Sequence, residues 1–544
     1  MNAVQSVRRA CMMILTPSTL YAVAGVAIAL AVVYKLIVYR IFLSPLSKLP
    51  SVHPLANVTD LWIQWHRWRG TYLDVLADAF ARKGPYIRLG PDEFAANTKE
   101  AVLSIYGVGA NNLDKHKTYA NYRTHGASRS FIALGKEHAY YRRRIAGVYL
   151  LSFLQTSPHA QTVLKTVLVE RLLPIINHVA SNGQGTMDIV PILQSFGLDY
   201  ASAFVFGLSR GTRFMEDEGA RNEWLERYNV WFDPDALYWR LEHPLLTKFL
   251  RAIGAPIVPR GWDKASREFE EWSTAKVKAS EAAIRKSEEA GVPLPDGELP
   301  IIVDAIRASM AQEAGIDRGF IPSLNQENEL AGECLDQIIA TRDVFGSTFA
   351  YIVYELSRHS DIQDELRREL LSLETPFYYH KGMTLADAIP SPTALQQLPL
   401  LNGVIKEGLR LRNTIPGIDP RVTPPNRKTT IGPLKDLPPG IRVGACGRML
   451  HTQEELYPDP LSWDPRRWMS GGCNESGWFM SFGGGSRGCV GQQVTWELLR
   501  FALTGIYSNY KTTVADETEY PGAEGFVGIL CDVRLFVKFE SLRD

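Results

Sequence analysis

The chain has 544 residues and balances 59 basic against 59 acidic side chains, so no net field of one sign recruits nucleic acid. Its six cysteines, Cys11, Cys334, Cys446, Cys473, Cys489 and Cys531, are scattered without a paired framework, which fits a reducing compartment and argues against a disulfide scaffold. No repeat and no long Gly/Ser linker divides the sequence, so one large domain over residues 51–544 is expected despite the length.

A short segment, 1–19, precedes an apolar run over 20–39 whose only charge is Lys35 near one end. About 20 such residues cross a bilayer, and a long Lys stem can snorkel to the interface, so this run is a transmembrane candidate. A cleaved signal peptide is the competing reading, but no convincing small-residue cleavage site follows. Residues 40–50, with Pro45 and Pro50, resemble the proline-containing hinge that follows a membrane anchor, and Asn57-Val58-Thr59 is a glycosylation sequon. Gly84 to Phe94 alternates apolar and polar residues between turn signals, as a hairpin at a sheet edge does. Gly126 to Leu134 reads as loop. A helix then opens at Gly135 and places His138 and Arg142 on one face, four residues apart. The run Arg142-Arg143-Arg144 also reads as a solvated face.

From about 160 to 310 the sequence predicts successive helices, with an aromatic cluster at Trp224, Tyr228, Trp231, Phe232, Tyr238 and Trp239. Asn325 to Ser357 is apolar on nearly all faces, as a helix through the middle of a large domain should be. Thr341 and Asp343 lie within it. Further helices cover Asp361 to Leu373 and Leu398 to Arg412, the second carrying Glu407 and Arg410 on one face. Trp463-Asp464-Pro465-Arg466-Arg467-Trp468 and the glycine-rich Phe482-Gly483-Gly484-Gly485-Ser486-Arg487-Gly488-Cys489-Val490-Gly491 follow, and an apolar helix runs from Val494 to Tyr507. The loop delivers Cys489 to a helix start, where unpaired N–H groups and the positive dipole end favour a thiolate. A thiolate is a soft, strongly donating axial ligand for haem iron. The alternative of a phosphate loop lacks its G-K-[ST] ending.

These motifs together resemble the cytochrome P450 family of haem-thiolate monooxygenases, and its microsomal fungal members in particular. The resemblance implies a mainly α fold with a small β region, the cytochrome P450 fold, plus one N-terminal transmembrane helix. It implies haem b held by Cys489, with Phe482 and Gly491 against the macrocycle. His138, Arg142, Arg421 and Arg487 would meet the haem carboxylates, with Arg143 or Arg144 reaching solvent where a reductase docks. Glu407, Arg410 and Arg467 would form a buried triad supporting the cysteine loop, while His451 sits where the family often has His. The aromatic cluster would belong to a lid over substrate, or to ordinary helix packing, and a hairpin over Gly522 to Ile529 would touch substrate.

The expected activity is insertion of one atom of dioxygen into a lipophilic small molecule, in fungal secondary-metabolite biosynthesis. Electrons would come from NADPH through NADPH-cytochrome P450 reductase, with cytochrome b5 as a further candidate partner. The location implied is the endoplasmic reticulum membrane, single-pass, with the catalytic domain in the cytosol and the sequon unmodified. One departure stands out: the distal-helix segment falls on Ala340 to Phe345, where the acid is present as Asp343 but Val344 occupies a threonine position. Thr341, or Ser347 and Thr348, would then hold a relay water, unless a substrate hydroxyl does so. A haem-thiolate isomerase or dehydratase needing no reductase is the alternative that Val344 suggests. A haem- or ligand-binding protein without turnover is the non-enzymatic one.

Overall fold

A computed structural model describes residues 17–107, 113–182, 185–316, 319–469, 479–516 and 533–542. Cys11, Cys473, Cys531 and the expected hairpin from Gly522 to Ile529 lie outside them.

The N-terminal helix α1, Pro17–Val33, continues through π-type turns over Tyr34–Leu43. Its apolar stretch Leu20–Leu43 is long enough to cross a membrane by length and composition. The helix therefore ends later than residue 39, because Ile41, Phe42 and Leu43 prolong the apolar run past Arg40. Arg40 itself turns inward: its Nη1 donates to Val58 O (2.9 Å), and its carbonyl accepts from the buried Arg88 (2.9 Å). The expected hinge is likewise docked on the domain. A short 3-10 turn at Pro45–Lys48 buries Leu46 completely in a small core with Phe94 and Val443. The sequon's Asn57 accepts from Ser51 (2.7 Å) and Arg88 (3.1 Å), so this side chain serves the interior.

Beyond the short helix α2, Leu61–Trp68, the small β region begins. A five-stranded sheet has the order β1-β2-β8-β5-β3, with β1 at Tyr86–Gly90, β2 at Glu93–Ala96, β3 at Asp114–Lys115, β5 at Arg421–Val422 and β8 at Arg442–Gly444. The β1–β2 hairpin matches the sequence expectation, though both its faces are covered. Two registers matter below. Glu93 lies opposite Arg442, and Lys115 lies opposite Arg421. A three-stranded sheet, β4-β10-β9, joins Thr186–Asp188, Phe536–Ser541 and Tyr510–Val514, and β6 with β7 forms a hairpin over Thr429–Ile431 and Leu434–Leu437.

Helices make up the main core. In chain order these include α3 (Gly135–Ala146), α4 (Val190–Phe206), α5 (Glu218–Trp231), α6 (Pro234–Glu242), α7 (Trp262–Ala290), α8 (Leu324–Ala340), α9 (Ser347–Arg358), α10 (Pro399–Leu411) and α11 (Gln492–Tyr507). α8 opens on a capping box in which Ser323 and Gln326 satisfy each other's end groups, then passes through π-type turns at Thr341–Gly346 into α9. The whole forms the expected long central helix. It crosses α4 closely because a Cβ at Gly346 would come within 2.7 Å of Gln194 Cα, a contact only glycine avoids.

The aromatic cluster divides. Trp224, Tyr228 and Trp231 of α5 are buried, and Trp231 stacks on Phe269 of α7 (ring centroids 4.9 Å apart), so for these three helix packing holds. Phe232, Tyr238 and Trp239 stay half-exposed.

Candidate active site

The loop before α11 is shaped by its own backbone: Cys489 N donates to Phe482 O (2.8 Å) and Gly488 N to Gly485 O (3.2 Å). Gly485 adopts φ +62° against Tyr106, whose carbonyl oxygen would lie 2.2 Å from any Cβ there. A side chain at that position would push the loop off its support. Cys489 is accessible, yet the surrounding protein pushes its thiol up, so it lines an interior cleft rather than the outer surface. The N–H groups of Gly491 and Gln492 and the Arg142 guanidinium act the other way and favour the thiolate. Arg142 also donates to Gly488 O (2.9 Å), fastening the loop beside the sulfur.

The opposite wall comes from α8. Tyr149, near enough to Cys489 to feel its charge, donates to Gln337 (2.7 Å). Where this helix passes into the π-type turns, Ala340 is exposed and Thr341 and Val344 are partly so beside the buried Arg342 and Asp343, which makes a strip open to the cleft. The Thr341 hydroxyl donates to Ile338 O (2.7 Å), leaving its oxygen to accept. Asp343 is not on this strip. It is 3% exposed, accepts from Tyr228 of α5, and pairs with Arg342 Nη1 (2.6 Å). Burial pushes its carboxyl up, against the pull of Arg342 and Tyr228. Ser347 and Thr348 are buried within the helix packing.

A cationic rim lies beside the loop. Arg421 is 1% exposed and paired with Asp419, but among the described residues its Nε and Nη2 have no partner. Lys115 sits opposite it in the β3–β5 register, where like charges are destabilising on their own; Asp419 offsets Arg421, and the Lys115 ammonium donates to Phe131 O (2.7 Å). Burial first, and then Arg421, push Lys115 down to about 8. Nothing in the sequence pattern marked Lys115, because its opposition to Arg421 arises only from strand pairing.

Arg487 is occupied otherwise than expected. Its Nε and Nη2 donate to Asp114 (3.1 and 3.0 Å), Nη2 also to Gly135 O (3.0 Å), and Nη1 to His138 Nδ1 (2.7 Å). His138 is a neutral imidazole, pushed down to about 3 by burial and then by Arg487, Lys115 and Arg142. It is therefore a hydrogen-bonding group here and adds no charge to the rim. Arg143 is exposed, but Arg144 does not reach solvent: it pairs with Glu313 (2.8 Å) and Glu329 (3.0 Å).

Behind the loop, Glu407 is fully buried and accepts from Arg410 (2.8 and 2.7 Å), Arg467 Nε (2.9 Å), Trp468 Nε1 (2.9 Å) and Asp464 N (3.0 Å). The structure thus brings Glu407, Arg410 and Arg467 together, and adds Trp468, whose ring nitrogen the sequence left unassigned. Two bonds reach from this cluster to the cysteine loop. Ser481 donates to Leu409 O (2.8 Å), and Met480 N donates to Nε2 of the buried His451 (2.9 Å).

An accessible thiol at a helix start, two orphaned guanidinium N–H groups, a facing lysine and an open strip of helix suit a flat, dianionic metallated macrocycle. The residues present fit haem.

Comparison with known proteins agrees. Residues 107–532 match the family described as cytochrome P450. A cytochrome P450 monooxygenase of Aspergillus versicolor, avaI, is 25% identical over 77% of this chain and 93% of its own length. A second, aneF of Aspergillus aculeatus, is 23% identical over 88% of this chain and 91% of its own. Tryprostatin B 6-hydroxylase of Neosartorya fischeri is 25% identical over 88% of this chain and 77% of its own. With its cysteine loop, its long interrupted central helix and a family match over most of its length, the chain belongs to the cytochrome P450 family and is a haem-dependent monooxygenase.

Proposed function

We propose that Cys489 ligates haem b and that the chain inserts one atom of dioxygen into a lipophilic small molecule of fungal secondary metabolism. The observation that carries this reading is the accessible Cys489 thiol under the N–H groups of Gly491 and Gln492. The relatives' printed names, monooxygenases and a 6-hydroxylase, support oxygen insertion over rearrangement. Electrons come from NADPH through NADPH-cytochrome P450 reductase, with cytochrome b5 as a second donor. α1 anchors the catalytic domain on the cytosolic side of the endoplasmic reticulum.

When bound, haem supplies the iron at which dioxygen is activated. The chain's own part is to bind, orient and hold protons. Arg421, through Nε and Nη2, and Lys115 bind the haem carboxylates, with His138 and Arg487 as neighbours that fix the rim. Arg142 holds the loop carbonyl at Gly488 and lowers the cost of a charged sulfur. Phe482 and Gly491 border the macrocycle. Glu407, Arg410 and Arg467 keep the loop from shifting by fastening the chain behind it. On the open strip, the Thr341 oxygen accepts from a water that carries protons inward, a positioned proton-transfer role. Asp343, turned toward Tyr228, enters that route only if α5 moves.

Incubation of the purified enzyme with a reductase, NADPH and labelled dioxygen tests the reaction: label in the product is expected, and product formed without incorporated label would reject it. Cys489→Ala tests the ligand. The thiolate-type Soret band of the reduced carbon monoxide complex should vanish, and its retention would place the ligand elsewhere.

A further inference from the structure

On the far side of the Glu407–Arg410 pair from the cysteine loop lies a cavity of about 430 Å³. Its walls come from the C-terminal ends of α9 and α10 and from the segment around Arg448 and Trp463. Arg410 forms the inner wall, with its guanidinium bound to Glu407 and to the carbonyls of His451 (2.7 Å) and Pro460 (2.7 Å). Three further arginines line it, against one acid, Glu355. Arg358 and Arg448 are exposed at the mouth, and Arg412 is half-buried further in.

Among the described residues none of these three arginines lies within ion-pair distance of a carboxylate. The acid on the wall, Glu355, is otherwise engaged: it accepts from Tyr351 (2.5 Å) and faces His359 Nδ1 at 3.5 Å. Arg358 instead contacts Tyr354, donating to its hydroxyl (3.0 Å), and Arg412 stands over the Tyr351 ring (4.7 Å).

Three buried donors at this cavity have no acceptor among the described residues: Arg412 Nε, Asn413 Nδ2 and Trp463 Nε1. Asn413 is 5% and Trp463 6% exposed, so bulk water does not satisfy them. Asn413 is oriented by its own backbone, because Oδ1 accepts from Ile415 N (3.1 Å) and the amide nitrogen is thereby the free end. Buried N–H groups left unpaired cost free energy, and three at one cavity, all donors, are satisfied together by an acceptor-rich anion. Planar guanidinium forks on opposite walls match the oxygens of a phosphate.

We propose that this cavity binds a small phosphate-class oxyanion, either free phosphate or the phosphate group of a monoester. Bound there, it would join the ends of α9 and α10 to the Arg448–Trp463 segment, and so brace from behind the cluster that holds the cysteine loop. The site is separate from the substrate cleft and does not depend on the reaction assigned above.

Calorimetric titration of the full-length holoenzyme with inorganic phosphate, and separately with glycerol 3-phosphate, both in chloride buffer of matched ionic strength, tests this. One saturable site is expected. Its affinity should fall at least tenfold in Arg412→Gln and severalfold in Trp463→Phe, and stay unchanged in Lys428→Gln, an exposed control elsewhere. Should Arg412→Gln not fold, the double variant Arg358→Gln/Arg448→Gln, altered only at exposed positions, must show the same loss. Tighter binding of glycerol 3-phosphate identifies a monoester site, and tighter binding of inorganic phosphate identifies the free ion. No saturable heat beyond the chloride control, or affinity unchanged in the arginine variants, would overturn the proposal and leave the cavity to water.

Discussion

The hydroxyl of Tyr228 donates to the carboxylate of Asp343, turning the acid of the central helix into the packing of α5 and away from the open strip. Arg342 completes the arrangement by pairing with the same carboxylate (2.6 Å) while standing over the Tyr228 ring (4.6 Å). Tyr228→Phe removes one hydrogen bond to a buried charged group, so a loss of about 1.5–3 kcal/mol of stability is expected. Urea denaturation of the variant and the parent checks it, and equal midpoints would show the bond to be dispensable.

Thr341 carries the hydroxyl at the strip where Val344 carries none. Thr341→Ala should lower product formed per NADPH by about a hundredfold, the low side of what positioned proton transfer contributes, with the missing electrons appearing as peroxide. Val344→Ala, which removes no exchangeable proton, should leave coupling within about twofold of the parent. Unchanged coupling in Thr341→Ala would assign the relay to another group.

Glu407 is fully buried and holds two guanidinium groups and an indole N–H. Glu407→Gln leaves Arg410 and Arg467 without their counter-charge, a change of the kind that costs about 3–5 kcal/mol. Lower denaturation midpoint and lower haem retention should appear together, as measured by urea titration and by the amplitude of the reduced carbon monoxide spectrum.

Lys115 lies opposite Arg421 in the β3–β5 register, with Asp419 paired to Arg421 and the Lys115 ammonium donating to Phe131 O (2.7 Å). Lys115→Met should weaken hemin retention by about tenfold, or ~1.4 kcal/mol, when hemin transfer to an apo-globin acceptor is followed. Transfer at the parent rate would remove Lys115 from the rim.

Glu242 of α6 accepts both Nη1 (2.8 Å) and Nη2 (3.0 Å) of Arg442, the residue that β-sheet register places beside Glu93. Burial alone would push its carboxyl up, but Arg442 and Arg67 more than offset this and hold it well below the ordinary range. A carboxyl depressed by folding contributes stability that is present above its unfolded value, about 4.3, and is lost as pH falls through the folded one. Glu242→Gln should therefore be less stable than the parent at pH 7, and the gap should narrow as pH falls below about 4.3. A gap independent of pH would mean the pair contributes no charge-dependent stability.

Much of this was legible in the residues because it is local. Helical spacing placed His138 with Arg142 and Glu407 with Arg410, and hydrophobic length marked the N-terminal helix and the central one. The glycine-rich loop before an apolar helix pointed to Cys489 because a loop and the helix start it feeds are contiguous in the chain. Even the end of the N-terminal helix was nearly readable; it extends to Leu43 because Ile41, Phe42 and Leu43 prolong the apolar run past Arg40, whose partners lie in a domain that the local pattern does not show.

What tertiary structure decided is every relationship across distance. Strand register alone put Lys115 against Arg421, and α5 alone could turn Asp343 from the cleft, since Tyr228 is remote from it in sequence. Arg144 reads as a solvated cation beside Arg143 and Arg142, yet two distant glutamates bury it. Charged side chains are ambiguous in a sequence because their state depends on which opposite charge folding brings within hydrogen-bond reach. Apolar periodicity and glycine-rich turns act over a few neighbouring residues, so the chain alone determined those, and left the pairing of its charges to the fold.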